Sequence, residues 1–281
     1  MMTIHLTLIK KNPLTLQVLL AQKLGLFQKH HVSVNLSTTE DFLFDGNNPF
    51  FCGTSDAMVG DTTFFFYMLK RGKDAVITSD LTRTIHLVAG RHPIQDLSHL
   101  KIGANRAGLL RLFLETDLKE MIPHASITWI NNSYERLAAL DKGEIEALVA
   151  IDPFVTDVLE TGGKILWSLA NSSHNWVMWA FDRTFYEQNQ GAVHNFYQAL
   201  EDTTNLFNQA SPNQRIQWAK DCGYPEKLAS RFATFTFEPY HPYAVEDFNL
   251  CQNWMYKNKE IDQLYDPHQC IVNPFKKPAS C

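Results

Sequence analysis

The sequence is short of several things, and each shortage excludes a class of protein. Lys and Arg number 25 against 30 Asp and Glu, a net charge of −5 over 281 residues. Without a basic excess there is nothing to neutralise a phosphate backbone, so general nucleic-acid binding is disfavoured. Thirteen glycines and 12 prolines are too few for a collagen-like or low-complexity chain. No apolar run approaches the roughly 18 residues that a membrane span needs. Even the apolar start is interrupted by Lys10, Lys11, Asn12 and Pro13, which also argues against a secretory signal. The five cysteines, Cys52, Cys222, Cys251, Cys270 and Cys281, are scattered and never fall in CxxC spacing. Reduced thiols behaving as small hydrophobes fit them better than a disulfide framework or a zinc site. HExxH, GxSxG, Walker A and GxGxxG patterns are absent as well. As given the chain reads as cytoplasmic, and as extracytoplasmic only if it is the truncated mature form of a longer protein.

What is present is a 45% hydrophobic composition, enough for a substantial core. Ile4 to Ile9 alternates like a buried strand, and Lys10-Lys11-Asn12-Pro13 breaks it. Leu16, Leu19, Leu20, Leu24 and Phe27 then follow helical spacing, and Val32, Val34 and Leu36 alternate again. Phe50 to Val59 is apolar enough for a strand, Asp61 stands as an N-cap before the run Phe64–Leu69, and Ala75–Thr78 extends again. A second strand–helix series runs from Gly90: strands near Lys101–Ala104, Ser126–Ile130, Ala147–Ile151 and Lys164–Leu169, with helices between them. Beyond Ala192 the pattern is helical with no strand alternation. Strands alternating with helices indicate an α/β fold with a largely parallel sheet. The late helices are expected to return to the first series, which makes the plan discontinuous. Residues 1–86 and 182–281 form one lobe and 87–181 the other, with hinge crossings near Thr84–Gly90 and Trp176–Phe181.

A set of motifs then points to a family. Asn12-Pro13 follows the first strand, and Ala21-Gln22-Lys23-Leu24-Gly25-Leu26-Phe27 runs into Val32-Ser33-Val34. Gly53-Thr54-Ser55-Asp56-Ala57, Leu100-Lys101-Ile102-Gly103, Leu137 to Ala147 and Asp152-Pro153-Phe154 follow in order. In that order and spacing the chain resembles the type II periplasmic-binding-protein group that covers aliphatic-sulfonate, nitrate and thiamine-pyrimidine-precursor binding proteins, often labelled NMT1/THI5-like. The resemblance covers almost the whole chain. It implies two α/β lobes closing over a small polar ligand, such as a thiamine pyrimidine precursor or a sulfonate-like compound, with the helical C-terminal segment packed on lobe 1. It also implies an alternative, a cytosolic enzyme of thiamine-pyrimidine biosynthesis. That enzyme needs a lysine that holds pyridoxal phosphate and a histidine that is consumed, and the matching positions here are Gly60 and Phe64. Its cluster of adjacent cysteines is missing too. The expectation is therefore a binding protein without a cofactor, whose partner is a small molecule. Nucleic acid and membrane insertion are not expected, and a transporter partner is expected only if an export signal has been removed.

Ligands of open α/β sheets sit beyond the carboxyl ends of the strands, which selects the candidate residues. Lys11 and Asn12 follow the first strand. Gly60, Asp61 and Thr62 start a helix whose N–H groups suit an anion, although Asp61 serves equally as that helix's own cap. Asp80 ends another strand and could pair with Arg83. In the second series Asn105 and Arg106 form the matching turn, where a guanidinium can fork onto two anion oxygens or lie solvated on the surface. Asn131 begins the next helix, and Asp152 opens the Asp-Pro-Phe turn. Trp176 could stack on a flat ligand, or fill the core.

Overall fold

The computed structural model describes residues 2–9, 12–39 and 48–276. The chain divides into two units, 1–82 with 176–281 and 83–175. In chain order, β1 (Thr3–Ile9), α1 (Pro13–Lys23), α2 (Leu26–Lys29) and β2 (Ser33–Thr39) are followed by β3 (Ala57–Asp61), α3 (Thr62–Lys70) and β4 (Ala75–Asp80). The second unit holds β5 (His86–Ala89), β6 (Lys101–Ala104), α4 (Leu109–Glu115), β7 (Ser126–Trp129), α5 (Ser133–Asp141), β8 (Ala147–Ala150), α6 (Phe154–Glu160) and β9 (Lys164–Ser168). The chain then returns through β10 (Val177–Asp182), α7 (Arg183–Gln188), α8 (Gln190–Gln209), α9 (Pro212–Asp221), α10 (Glu226–Ser230), α11 (Val245–Lys257) and α12 (Pro267–Cys270).

Each unit carries a five-stranded mixed sheet, and the two have one plan. The orders are β2-β1-β3-β10-β4 and β7-β6-β8-β5-β9. In each the first three strands are parallel, while the fourth (β10 or β5) runs antiparallel between its neighbours. The passages between units fall at 82/83 and 175/176, not at 86/87 and 181/182. The stretches expected to carry them, Thr84–Gly90 and Trp176–Phe181, contain the antiparallel strands that immediately follow each passage. The reason is hydrogen bonding. Phe181, Ala180, Trp179, Met178 and Val177 pair with β3 from Ala57 to Asp61, so their backbone groups belong to the first sheet. The segment Phe50–Ser55, expected to be extended, is turn instead, closed by the N–H groups of Thr54 and Ser55 on the Pro49 carbonyl at 2.9 and 3.1 Å.

The first core is built around wholly buried aromatics. Phe27 stacks on Phe196 at 5.6 Å between centroids, and Trp179 and Phe181 meet Phe196 edge-on at 5.2 and 5.9 Å. Thus α8 lies over the β10 face with α1 and α2. The expected return of the late helices is seen in a second cluster, where Leu16 and Leu20 of α1 pack with Phe207, Tyr224, Leu228, Phe232 and Phe237. Phe65 and Phe66 of α3 pack on Phe248 of α11, so the three phenylalanines of the aromatic run in α3 are buried packing, while Tyr67 is exposed. Beyond α12, Ile271 bridges to Ile77 on the outer side of β4. The four described cysteines are free, and no helix is long and apolar enough to cross a membrane among the described residues.

The second core gathers Val88, Ala139, Leu140, Ile145, Leu148, Val155 and Val158. It is closed at the turn after α6 by Gly163, where a Cβ would stand 2.4 Å from Val158 Cγ1 and only 2.5 and 2.8 Å from the carbonyl oxygens of Ala89 and Val158. Two of those three obstacles are backbone and cannot rotate away. Gly163→Ala should therefore lower stability by about 1–3 kcal/mol through overpacking. Urea unfolding of the variant checks it, and an unchanged midpoint would show that the α6–β9 turn has room to relax.

Candidate functional site

The carboxyl ends of the parallel strands lead into five helix starts, and each poses the same physical problem. The first N–H groups of a helix have no intrahelical acceptor. How each turn answers that need decides which polar groups remain for a ligand.

After β1, Asn12 caps α1. Its Oδ1 accepts from the Leu14 N–H at 2.9 Å, while its carbonyl accepts from the hydroxyls of Thr15 at 2.9 Å and Tyr224 at 2.7 Å. Asn12 is buried in this role, and Lys11 lies outside the described residues. After β3, Asp61 caps α3: its carboxylate accepts from the Phe64 N–H at 2.8 Å and from the Thr63 hydroxyl. The Thr62 N–H and hydroxyl both donate to the Trp176 carbonyl, at 2.9 and 3.1 Å, and the Thr62 hydroxyl accepts from Tyr243. Trp176 itself is wholly buried. Gly60 is a buried strand residue opposite Met178, and Phe64 is 1% exposed inside α3. The donors at the start of α3 are therefore already spent on the protein, and the anion cradle expected there is filled by Asp61. Burial pushes the Asp61 carboxyl pKa up despite three hydrogen bonds that act the other way.

Asp80 ends β4, where its N–H donates to the His241 carbonyl at 3.2 Å. Its side chain lines a cavity of about 20 Å³ in the first unit, with Gln17, Trp179, Tyr197, Glu201 and Tyr240. That volume holds about one water and no organic ligand.

The second unit is arranged differently. After β8, Asp152 behaves like Asp61: it is buried, and its Oδ1 accepts from the Thr156 N–H and hydroxyl at 3.0 and 2.8 Å. After β7, Asn132 caps α5 by accepting from the N–H groups of Tyr134 and Glu135 at 2.9 and 3.2 Å. The turn after β6 has no such side-chain cap; Gly108 holds the capping position at φ 77°. That turn is fixed from outside. Asn131 Oδ1 accepts from the Arg106 N–H at 3.0 Å, and Arg136 Nη1 donates to Asn105 Oδ1.

Arg136 is the residue that sequence reasoning missed. It is only 2% exposed, and it donates to the carbonyls of Ile130 and Asn131 at 2.6 and 3.0 Å and to Ser133 Oγ at 2.9 Å. Desolvation draws its pKa down to about 10, so it remains charged at neutral pH. One guanidinium thus binds the β6–α4 and β7–α5 turns into a single structure. The available signal was its helical spacing with Ala139 and Leu140, which puts an arginine on the buried face of α5. The side chain of Arg106, by contrast, is exposed and makes no ion pair among the described residues. Its Cζ and that of Arg111 each stand 5.9 Å from the Trp129 ring centre, and Arg111 pairs with Glu115 at 2.7 Å. Of the expected residues the fold therefore brings Asn105, Arg106 and Asn131 into one hydrogen-bonded group. It commits Asn12, Asp61 and Asp152 to their own helices, and Thr62 to the Trp176 carbonyl and the Tyr243 hydroxyl. No cluster of three metal-ligating side chains occurs among the described residues.

Solved structures show which class this architecture belongs to. The aliphatic sulphonate binding protein SsuA from Escherichia coli superposes with a TM-score of 0.79 at 15% identity, over 99% of this chain and 94% of that one. The alkanesulfonate-binding protein SsuA from Xanthomonas axonopodis pv. citri, bound to MOPS, gives 0.67 at 14% identity, over 93% and 94%. A DszB variant in complex with biphenyl-2-sulfinic acid gives 0.66 at 14% identity, over 97% and 96%. The fold is that of the type II periplasmic binding proteins, two α/β units with flanking helices. No protein-family model and no curated protein sequence matches the chain.

Two outcomes follow from the caps. A carboxyl whose pKa is raised on folding, as at Asp61, adds stability below its ordinary value of 3.8 and loses that contribution as pH rises through the folded value. Asp61→Asn keeps the cap without the buried charge, so its melting temperature should exceed wild type at pH 7, with the gain vanishing toward pH 3.5–4, about the pKa of an unperturbed aspartate. Scanning calorimetry across that range measures it. Arg136→Met should cost about 2–4 kcal/mol in urea unfolding because it strands buried acceptors. Arg136→Lys should restore only part, since one ammonium cannot span four acceptors in a plane.

Proposed function

We propose that this chain is a small-molecule (solute) binding protein whose ligand carries a sulfonate-like anionic head taken by the β6–α4 turn of the second unit. The observation that carries the reading is Arg106: an exposed guanidinium without an ion pair among the described residues, on a turn that Asn131 and the buried Arg136 hold in place. A planar guanidinium forks onto two oxygens of a sulfonate or carboxylate, and a turn fixed in advance leaves little ordering to be done on binding. The sulfonate and sulfinate ligands named for the structural neighbours support the same head group.

A thiamine pyrimidine precursor, the other ligand considered, would need carboxylates free to accept from its amino face. Asp61 and Asp152 are occupied at their own helix starts, which favours the anion. The thiamine-pyrimidine enzyme reading gains nothing from Gly60 in a buried strand and Phe64 in a buried helix face, where that chemistry needs a lysine and a histidine.

Calorimetric titration with ethanesulfonate tests the reading. Saturable binding is expected, and Arg106→Ala should weaken it by about 1.5–3 kcal/mol, the worth of a charge-assisted contact. Binding that ignores Arg106, or no binding, would overturn it.

A further inference from the structure

The carboxyl edge of the second sheet carries three aromatic rings, of Trp129, Tyr134 and Phe154; Phe154 packs against the second core, whereas Tyr134 takes no part in it. Tyr134, in the first turn of α5, is 72% exposed, more than any other large hydrophobic side chain described. Its backbone N–H is already used by the Asn132 cap, so the ring has no part in starting the helix. Nor is the ring loose. It stands edge-on to Phe154, the first residue of α6, at 5.3 Å and 80°. Trp129 ends β7 half-buried beneath the guanidinium groups of Arg106 and Arg111. The three strands concerned, β6, β7 and β8, are parallel, so all three rings stand at the same end of the sheet as Arg106.

The turns that carry these groups are joined in series. Asn131 and Arg136 tie the β6–α4 turn to the β7–α5 turn, and the Tyr134–Phe154 contact ties α5 to the start of α6. We infer that the organic body of the ligand is aromatic, and that Tyr134 is the residue that selects it: an arylsulfonate held at its head by Arg106 and stacked at its ring on Tyr134. The inference rests on the sulfonate reading given above. A held, exposed tyrosine offers a large flat face at little cost in side-chain entropy, and aromatic pairs gain about 0.5–1.5 kcal/mol beyond the area they bury. An alkyl chain gains no such term.

The test compares benzenesulfonate with ethanesulfonate by calorimetry, on wild type, Tyr134→Ala and Tyr134→Phe. Wild type should bind benzenesulfonate about two- to twelvefold more tightly than ethanesulfonate. Tyr134→Ala should abolish that preference while leaving ethanesulfonate affinity unchanged, and Tyr134→Phe should keep it. If ethanesulfonate binds through Arg106 but benzenesulfonate binds no better, or if Tyr134→Ala weakens both ligands alike, the aromatic selection is wrong and the sulfonate reading stands. If neither sulfonate binds, both fall together.

Discussion

Hydrogen-bond demand at the starts of helices governs what this protein can offer a ligand. An α/β unit directs each strand's carboxyl end into a helix whose first N–H groups lack acceptors. Those donors attract the nearest oxygen, and the nearest oxygen is usually on the turn itself. Asn12, Asp61, Asn132 and Asp152 each turn a side-chain oxygen back onto the helix they precede. The polar residues most visible at the strand ends are thereby made structural. The turn that Gly108 leaves without a side-chain cap is the exception, and the exposed Arg106 stands on it.

The two sheets share one plan because each receives its antiparallel strand from the far side of a passage between units. β5 enters the second sheet directly after the chain leaves the first, and β10 enters the first directly after the return. Each of these strands shifts register once along its outer neighbour, at Leu87/Val88 and at Trp179/Ala180. A central strand must satisfy its backbone on both sides, so neither segment can act as a loose connector. That is why Val177–Asp182 belongs to the first unit and why Trp176, beside it, is buried with its carbonyl turned to Thr62.

In the second unit a buried charge does what short turns cannot do alone. Desolvating a guanidinium is costly unless its hydrogen bonds are made; Arg136 makes them through both terminal nitrogens, to Asn105, Ile130, Asn131 and Ser133, while its Nε is buried without a partner. The β6–α4 turn is fixed by partners about 25–30 residues further along the chain, and its stiffness is a tertiary property. Arg106 inherits that stiffness without sharing the burial. Tyr134, two residues upstream of Arg136 on the same helix, inherits it as well and faces solvent.

The alternation of strands and helices, the helical C-terminal third, the cap at Asp61 and the buried aromatics of α3 were all legible in the sequence. Each is set by local periodicity or by a short polar residue next to an apolar run, information that lies within a few residues. The candidate turns were found for the same reason. Which of their residues a ligand could use was not legible, since Asp61 and Arg106 both stand in turns between a strand and a helix, and only the fold shows that the first caps its helix while the second is exposed. Arg136 reads as one more surface charge until the fold brings Asn105 and Asn131 to it. Trp176, read as either a stacking face or core, is buried, whereas Tyr134, which no local pattern singled out, is exposed. Local pattern determined the elements and their order; burial and long-range hydrogen bonding, which no local pattern encodes, decided which of the polar and aromatic groups remain open to a ligand.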